Sequence, residues 1–424
     1  MCSSDLLASR LGLGLGFGSR DRVSAPWHST SVARAGILTP WLAQGAVAFD
    51  GPPIGIDWTT GSDFRFDAWA PYKEHMVTSV NMLIAGMMGT GKSMCLKTLA
   101  DREIAWGRNV IIEGDPKGEW ARFARIAGGA VVGVGDGQCI NPLDVGAPGD
   151  GESDADWANR ADSMRVEALR GLAAAVTRLR EGRATPTITG LVALLSSEWP
   201  REAGIRGLDA QDAAASAARL TLLFDTLVTG PLRGSFDQES TVRIDPACPL
   251  IVFDTGSADD GSQRKAVYTA AMAAAIDRVC ASHDGMWRIV IAEEGWDVLR
   301  NPALVAGWDR RMRLSGDLGV ANIMLMHELS DLEQAGDAGS AQRRRIEGIL
   351  TKSSTSILYQ QSPASLRHLR RLMPDLTDDE AAAVASLPQG VGLWRVGSAV
   401  RQLVLPLVSP DEYRAFNTDA GRAG

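Results

Sequence analysis

The chain has 424 residues, of which 45% are hydrophobic and 6% aromatic, so it is long enough to bury a large core in two or three domains. The formal net charge of -8 argues against a surface built throughout to coat nucleic acid. The five cysteines are scattered without a C-x-x-C pair, which argues against a disulfide framework or a zinc site. No apolar stretch reaches the roughly 20 residues that cross a bilayer. We therefore expect a cytoplasmic protein that meets a membrane only through partners.

The first part of the chain is predicted to begin an α/β core. Residues 1–47 show weak periodicity and are interpreted as a poorly determined leader. "IGIDW" (54–58) and "FRFDAW" (64–69) flank the turn-rich "TTGS" and predict two short strands of a hairpin. Within 48–150, apolar runs alternate with a segment of helical length, in the order "VNMLIAG", "NVIIEGD" and "AVVGVG". This β-α-β alternation predicts a mainly parallel sheet.

An all-α insertion is predicted over residues 151–236, where alanine, arginine and acidic residues dominate. An apolar stripe from Trp157 to Leu179 predicts its first helix. The segment "TPTITGLVALLSSEW" predicts a second helix, with Thr185 as the N-cap and Pro186 in the first turn. The segment "DAQDAAASAARLTLLFDTLV" predicts a third.

Strands are predicted to resume over residues 237–424, so that the sheet brackets the insertion. The apolar runs are "PLIVFDTG", "RIVIAEEGW", "ANIMLMHE", "TSILYQQ" and the closing pair "GLWRV" and "RQLVLPLV". The segment "GDAGSAQ" (336–342) is predicted to form a flexible loop.

A phosphate-binding loop is predicted in "LIAGMMGTGKSMC" (83–95), because the octet 86–93 matches G-x-x-x-x-G-K-[ST] in full. The glycines let the backbone turn, and its N–H groups then hold the phosphate oxygens of ATP together with the following helix N-terminus. Lys92 is expected to reach the β- and γ-phosphates, and Ser93 to hold Mg²⁺. A glycine turn without a ligand is the alternative, but the octet follows an apolar strand and opens a helix, as the motif requires.

Two consecutive carboxylates, Glu293 and Glu294, follow the predicted strand in "RIVIAEEGW" and are called the acid pair below. Hydrolysis needs an acid near the metal and a group that orients the water. The carboxyl end of a parallel strand faces the ligand site. We predict that Glu293 belongs to the magnesium shell and that Glu294 polarises water. A solvated acidic turn is the alternative.

The segment "GDPKGEW" (114–120) directly follows the second core strand. Asp115 is predicted to cap a helix that has Pro116 at its first position. If this strand lies beside the P-loop strand, Asp115 and Lys117 also come near the γ-phosphate, and both roles can hold together. The predicted nucleotide-binding residues are Gly86, Met87, Met88, Gly89, Thr90, Gly91, Lys92, Ser93, Met94 and Asp115.

Taken together, the motifs resemble the ATPases of type IV secretion and conjugal transfer, the TraC/TraG-like P-loop ATPases of the FtsK/HerA superfamily. The matching segments run from about residue 48 to 418 and are "GPPIGIDW", "FRFDAW", "GMMGTGKS", "IIEGDPKGEW", "INPLD", "GPLRGSFD", "IVFDTG", "VIAEEGW", "MLMHELSDL" and "ILYQQS". The resemblance implies a RecA-like core interrupted by an all-α subdomain and the use of ATP and Mg²⁺. It also implies a hexamer at the inner face of the membrane, with channel proteins as partners and DNA as a further candidate.

The resemblance also implies two further catalytic residues. In "MLMHELSDL", His327 stands where the family generally has a Gln sensor, on a strand next to the P-loop strand; a plain surface histidine is the alternative. Such oligomers use an arginine from the neighbouring subunit. The segment "WDRRMRLSGDLGV" offers Arg310, Arg311 and Arg313, of which the position relative to the sensor strand favours Arg313. The cluster "RHLRR" (367–371) is the runner-up.

The sequence departs from the family pattern in two further ways. The segment "EEGW" replaces the more usual "DEAW", and only about 50 residues precede the matched region, so docking to a channel would need a separate polypeptide. Three functions stay open. The leading one is an ATPase that powers conjugative DNA transfer or type IV secretion. The second is a double-stranded DNA translocase of the FtsK/HerA kind, and the third is a nucleotide-binding scaffold with little turnover.

Overall fold

The computed structural model describes the protein over residues 49–133, 138–143, 176–179, 181–182, 185–202, 209–230, 232–242, 244–256, 263–282, 284–300, 302–327 and 341–416. Three predicted features lie wholly or largely outside these ranges. They are the leader, the helix from Trp157 to Leu179 and the loop at 336–342.

Eleven strands and fourteen helices are used below. The strands are β1 (Pro53–Asp57), β2 (Asp63–Arg65), β3 (Met82–Ala85), β4 (Asn109–Ile112), β5 (Ala130–Val132), β6 (Leu250–Phe253), β7 (Arg288–Ala292), β8 (Val320–Met326), β9 (Thr355–Leu358), β10 (Gly392–Val396) and β11 (Val400–Pro406). The helices are α1 (Ala70–Lys73), α2 (Lys92–Ala105), α3 (Glu119–Ala127), α4 (Ile188–Leu195), α5 (Trp199–Glu202), α6 (Ala210–Val228), α7 (Gln263–Cys280), α8 (Gly295–Arg300), α9 (Pro302–Arg313), α10 (Ser315–Leu318), α11 (Ala341–Thr351), α12 (Pro363–Leu372), α13 (Asp378–Ala385) and α14 (Pro410–Phe416). Within the part of the chain that the structure describes, no helix is long and apolar enough to cross a membrane.

The strands form one 11-stranded sheet in the order β2-β1-β11-β10-β9-β3-β8-β7-β4-β6-β5. Neighbours from β9 to β5 are parallel. The predicted hairpin of β1 and β2 and the predicted closing pair of β10 and β11 are both present, and they extend the sheet on the β9 side with antiparallel strands. Helices cover the parallel strands on both faces, and β3, β4, β6, β7 and β8 are accordingly buried along their whole length. The predicted mainly parallel α/β sheet is confirmed.

The central position of β3 decides where the P-loop lies. Strand β3 is flanked by β8 and β9, which come from the far end of the sequence. The register places Ala85, the last residue of β3, beside Met326 of β8 and Leu358 of β9. The segments that follow these three strands therefore meet at one edge of the sheet, which is called the carboxyl edge below.

The described part of 151–236 contains α4, α5 and α6, and the start of α4 corrects one prediction. The N-cap of α4 is Thr187, whose Oγ1 accepts a hydrogen bond from the Gly190 N–H at 3.1 Å. The prediction of Thr185 as the cap was wrong. Pro186 lies before the helix, and its carbonyl accepts a hydrogen bond from the Asn141 side chain at 2.7 Å. Starting at Ile188 still buries the apolar face of the helix.

Candidate active site

The P-loop joins β3 to α2 through a backbone that only glycine adopts freely. Gly89 and Gly91 have φ values of 75° and 103°, in the left-handed region. Gly86 lies against β9, where an added Cβ would approach the Tyr359 Cβ to 2.5 Å. These glycines are therefore required by the turn and by the close packing around it, as the motif predicts.

Side chains of the P-loop fold back onto its backbone. The Lys92 ammonium donates a hydrogen bond to the Met87 carbonyl at 2.6 Å, and the Thr90 hydroxyl donates to the same carbonyl at 2.8 Å. Lys92 is only 3% exposed, although its charge would be expensive to bury without such partners. Ser93 follows it, half-buried, in the first turn of α2, whereas Met88 is 79% exposed at the tip of the loop. The lysine and the serine thus lie where the P-loop joins α2.

The sheet brings the acid pair to the same edge as the P-loop. Strand β8 lies between β3 and β7, and Ala292, the last residue of β7, pairs with Met324 of β8. The acid pair is therefore level with the end of β8, where β3 also ends. Lys92 and Glu294, which are far apart in the sequence, follow strands that end at the carboxyl edge and are separated there only by β8.

Glu294 accepts contacts from two basic side chains, one on each carboxylate oxygen. The Lys117 Nζ donates to Oε1 at 2.7 Å, and the His327 Nε2 lies 3.5 Å from Oε2. The contacts with His327 and Lys117 lower the pKa of Glu294 to about 2. The hydrogen bond to Glu294 in turn raises the pKa of Lys117. Glu294 is thus ionised at neutral pH and can accept a hydrogen bond from water.

Glu293 points toward α3, where it accepts a hydrogen bond from the Trp120 indole N–H. Trp120 is 1% exposed, and a buried indole N–H needs such a partner. The bond uses one carboxylate oxygen of Glu293, and among the described residues the other oxygen accepts no hydrogen bond. Sequence reasoning missed this role of Trp120. The only signal was the "GEW" that ends the segment after β4.

His327 directly follows β8, the strand beside β3, as predicted for the sensor. Its Nε2 faces Glu294, while its Nδ1 is buried and has no hydrogen-bond partner among the residues that the structure describes. The structure thus brings two of the predicted catalytic residues, His327 and Glu294, into direct contact.

The condition for placing Asp115 near the γ-phosphate is not met. The expectation required β4 to lie beside β3, but β8 and β7 separate them. The carboxylate of Asp115 instead accepts hydrogen bonds from the N–H groups of Glu119 at 3.1 Å and Ala121 at 2.8 Å, and burial raises its pKa. The predicted contact with a helix start is therefore present, but α3 begins at Glu119 after the N-cap Gly118. The prediction of Pro116 at the first helical position was wrong, because the chain first makes a turn at that residue.

Arg313 lies at the opposite edge of the sheet, called the amino edge below. It ends α9 and is 67% exposed, with an ion pair to Asp309 at 2.7 Å. The preceding carbonyl, of Met312, accepts a bond at 3.1 Å from Asn81, which directly precedes β3. Arg313 is thus remote from the P-loop of its own chain and open to a neighbouring molecule.

The other predicted arginines differ in exposure. Arg311 is 2% exposed and bonds Glu113 at 2.6 Å and Asp277 at 2.9 Å, so it is fixed inside its own chain. Arg310 is exposed and also pairs with Asp277. The arginines of the cluster at 367–371 are exposed on α12.

A segment before β10 contacts the P-loop and was missed by sequence reasoning. The Gln389 amide donates to the Gly89 carbonyl at 3.0 Å, and the Gly390 N–H donates to the Thr90 carbonyl at 2.9 Å. An added Cβ on Gly91 would lie 3.1 Å from the Gly390 Cα. In the sequence, the "PQG" at this position indicates only a turn before a strand.

Solved structures with a similar fold include those of VirB4 and TrwB. The fold matches VirB4 of Thermoanaerobacter pseudethanolicus with a TM-score of 0.65 at 19% identity, covering 87% of this chain and 98% of that one. It matches the plasmid coupling protein TrwB in complex with ADP and Mg²⁺ with a TM-score of 0.52 at 14% identity, covering 85% and 90%. The match to TrwB in complex with a non-hydrolysable ATP analogue has a TM-score of 0.51 at 13% identity, covering 78% and 86%.

No protein-family model and no curated protein matches the sequence. At the identities of the structural matches, the similarity establishes the fold. The chain therefore has the RecA-like P-loop ATPase fold that it shares with VirB4 and TrwB, as its sequence motifs predicted.

Proposed function

We propose that this protein is an ATPase that hydrolyses Mg-ATP and powers the transfer of DNA or protein through a conjugative or type IV secretion apparatus. The observation that carries the proposal is the meeting of a complete P-loop and the acid pair at one edge of the sheet. The fold adds support, since TrwB has been solved with ADP and Mg²⁺ and is a plasmid coupling protein.

Each residue of the carboxyl edge then has a definite task. The Gly86 and Met87 N–H groups donate to the Met326 and Gln360 carbonyls. The amides of residues 88–91, together with the Lys92 ammonium, are therefore the groups proposed to bind the phosphates. Ser93 and the free oxygen of Glu293 would hold Mg²⁺, a hard cation that prefers oxygen ligands. When bound, the ion neutralises charge on the phosphates. The Ser93 hydroxyl and the Glu293 carboxylate both offer oxygen atoms, which are the ligands that Mg²⁺ prefers.

Glu294 orients the attacking water in this proposal. It is ionised and held by Lys117 and His327, so its direction is set before the substrate arrives. Groups that move or orient a proton in this way contribute about 10² to 10⁴ in rate. His327 lies between Glu294 and the P-loop strand and is suited to respond to the γ-phosphate.

Arg313 is proposed to act on the site of a neighbouring copy. It is exposed at the amino edge, so a ring in which this edge meets the carboxyl edge of the next copy would deliver it to the nucleotide. An arginine supplied in this way contributes about 10³ to 10⁵ in rate in P-loop enzymes. We propose a hexamer of this kind, bound to channel proteins at the inner face of the membrane.

The test is ATP turnover by the purified oligomer, compared with Lys92→Ala. We expect turnover in the wild type and its loss in the variant, with an unchanged circular dichroism spectrum. Unchanged turnover in the variant would contradict the assignment. Strong stimulation by DNA that falls steeply with salt would favour a double-stranded DNA translocase. Nucleotide binding without phosphate release would favour a scaffold.

A further inference from the structure

Lys117 contacts the predicted water-orienting residue from a segment outside both the P-loop and the acid pair. It belongs to the loop between β4 and α3, and its Nζ donates to Glu294 Oε1 at 2.7 Å across 177 positions of sequence. We propose that Lys117 is a positioning residue for Glu294, which holds the carboxylate in the direction that hydrolysis requires. This inference rests on the proposed function.

Glu294 needs such a partner because its side chain is long and lies just beyond the strand. Strand β7 ends at Ala292, so Glu294 is the second residue past the regular hydrogen-bond pattern of the sheet. Its side chain is 24% exposed. Lys117 and His327 each contact a different oxygen, which fixes the plane of the carboxylate as well as its distance. A carboxylate has about four acceptor positions, so both oxygens can still accept a bond from water.

Lys117 is itself held by a well-anchored loop. The loop is fixed on one side by the carboxylate of Asp115, which bonds two amides of α3. On the other side, the Thr255 N–H donates to the Asp115 carbonyl at 3.3 Å. Gly118 has a φ of 68° and turns the chain directly into α3. The Lys117 ammonium therefore extends from a fixed backbone, although the Lys117 side chain is 53% exposed.

The same segment also contacts the other member of the acid pair. Trp120, in the first turn of α3, donates its indole N–H to Glu293. Residues 117 and 120 thus each hold one carboxylate of the pair. An accidental surface ion pair would contribute little and would not explain this double contact.

The test compares the turnover of four variants with that of the wild-type oligomer: Lys117→Met, Lys117→Arg, Glu294→Gln and the double variant Lys117→Met with Glu294→Gln. Misplacement of a catalytic group by about 1 Å costs up to about 100-fold in rate, so we expect Lys117→Met to lower kcat about 10- to 100-fold. The KM for ATP and the Kd for ADP should stay within about twofold, since Lys117 is proposed to act on Glu294 and not on the bound nucleotide. Lys117→Arg should restore part of the rate.

The double variant distinguishes positioning from a general loss of structure. If Lys117 acts through Glu294, then Lys117→Met should cause no further loss of kcat once Glu294 is glutamine. The matched control is Arg201→Met, which removes an exposed cation on α5 that pairs with Glu198 at 2.7 Å. Its turnover should equal that of the wild type.

Three results would overturn the inference while leaving the proposed function intact. The first is a kcat of Lys117→Met within twofold of an active wild type. The second is a change in the KM for ATP instead of kcat. The third is that Lys117→Met lowers kcat by the same factor in the Glu294→Gln background as in the wild type. An inactive wild type would overturn the proposed function and this inference together.

Discussion

Substitution of Arg311 should lower the stability of the fold, whereas substitution of Arg313 on the same helix should not, because Arg311 is buried and Arg313 is exposed. Arg311 bonds Glu113 at 2.6 Å and Asp277 at 2.9 Å, and Glu113 also accepts a bond from the Trp308 indole at 2.8 Å. The side chains of Arg311 and Glu113 are 3% and 0% exposed. This cluster joins α9 to the end of β4 and to α7. We predict that Arg311→Met strongly destabilises the fold.

The magnitude follows from what the substitution leaves behind. Methionine replaces most of the volume of arginine, so the main loss is the positive charge and its hydrogen bonds. Removing one partner of a buried ion pair costs about 3–5 kcal/mol, a large part of a typical free energy of unfolding of about 5–15 kcal/mol. One oxygen of Glu113 already has no hydrogen-bond partner within the described part of the chain, and burial raises its pKa. In the variant, the Trp308 indole N–H would be the main hydrogen-bond donor left to the Glu113 carboxylate.

The pH dependence gives an independent check. A carboxyl whose pKa is raised in the folded state binds its proton more tightly there, so it lowers stability at pH values above that pKa and stops doing so as the pH falls. Losing Arg311 should raise the pKa of Glu113 further. The loss of stability in Arg311→Met is therefore expected to be smaller at about pH 5 than at about pH 8.

The assay is urea unfolding followed by tryptophan fluorescence. Arg313→Ala is the control, since Arg313 is exposed and its pair with Asp309 should be worth about 0–1 kcal/mol. This control should keep its stability and, if Arg313 serves a neighbouring subunit, lose turnover. Adding Glu113→Gln to Arg311→Met should recover about 1–3 kcal/mol, because it removes the unpaired charge. A stability of Arg311→Met within about 1 kcal/mol of the wild type would refute the reasoning.

Two smaller predictions concern contacts outside the motifs. Gln389→Ala removes a hydrogen bond to the P-loop worth about 0.5–1.5 kcal/mol, so the Kd for ADP measured by calorimetry should rise about 2- to 10-fold; an unchanged Kd would show that this contact does not shape the loop. Thr187→Ala should lower the free energy of unfolding by about 1 kcal/mol, whereas Thr185→Ala should stay within about 0.5 kcal/mol of the wild type. Equal effects of the two substitutions would contradict the observed start of α4.

The parts of the fold that local patterns encode were predictable from the sequence. Strands buried on both faces give short continuous apolar runs, and the P-loop is a single stretch of eight residues with fixed demands on the backbone. Helix starts were less predictable. Thr185 and Thr187 both precede the same apolar run, and only the packing of Ile188 and the use of the Pro186 carbonyl by Asn141 decide between them.

The contacts between distant segments were not predictable, because they depend on the order of strands in the sheet. Asp115 and Lys117 were expected near the γ-phosphate on the condition that β4 lies next to β3. In the observed order β4 lies next to β7, and this brings Lys117 to Glu294 instead. The contact of Gln389 with Gly89 spans 300 positions and likewise follows from the placement of β10 beside β9. No spacing within one motif carries this information.

Strand order also explains how an exposed arginine can have a well-defined position. Asn81 precedes β3, and its Oδ1 accepts bonds from Asn322 of β8 at 2.9 Å (side chain) and 3.2 Å (backbone). Its Nδ2 donates to the Met312 carbonyl at 3.1 Å. The end of α9 is thus attached to β3 and β8, which lead to the P-loop and to His327 at the other edge. A site on rigid elements holds its geometry better than one on a loop. The backbone next to Arg313 is therefore held by the two strands that lead to the P-loop and to His327, as the proposed delivery of Arg313 to a neighbouring copy requires.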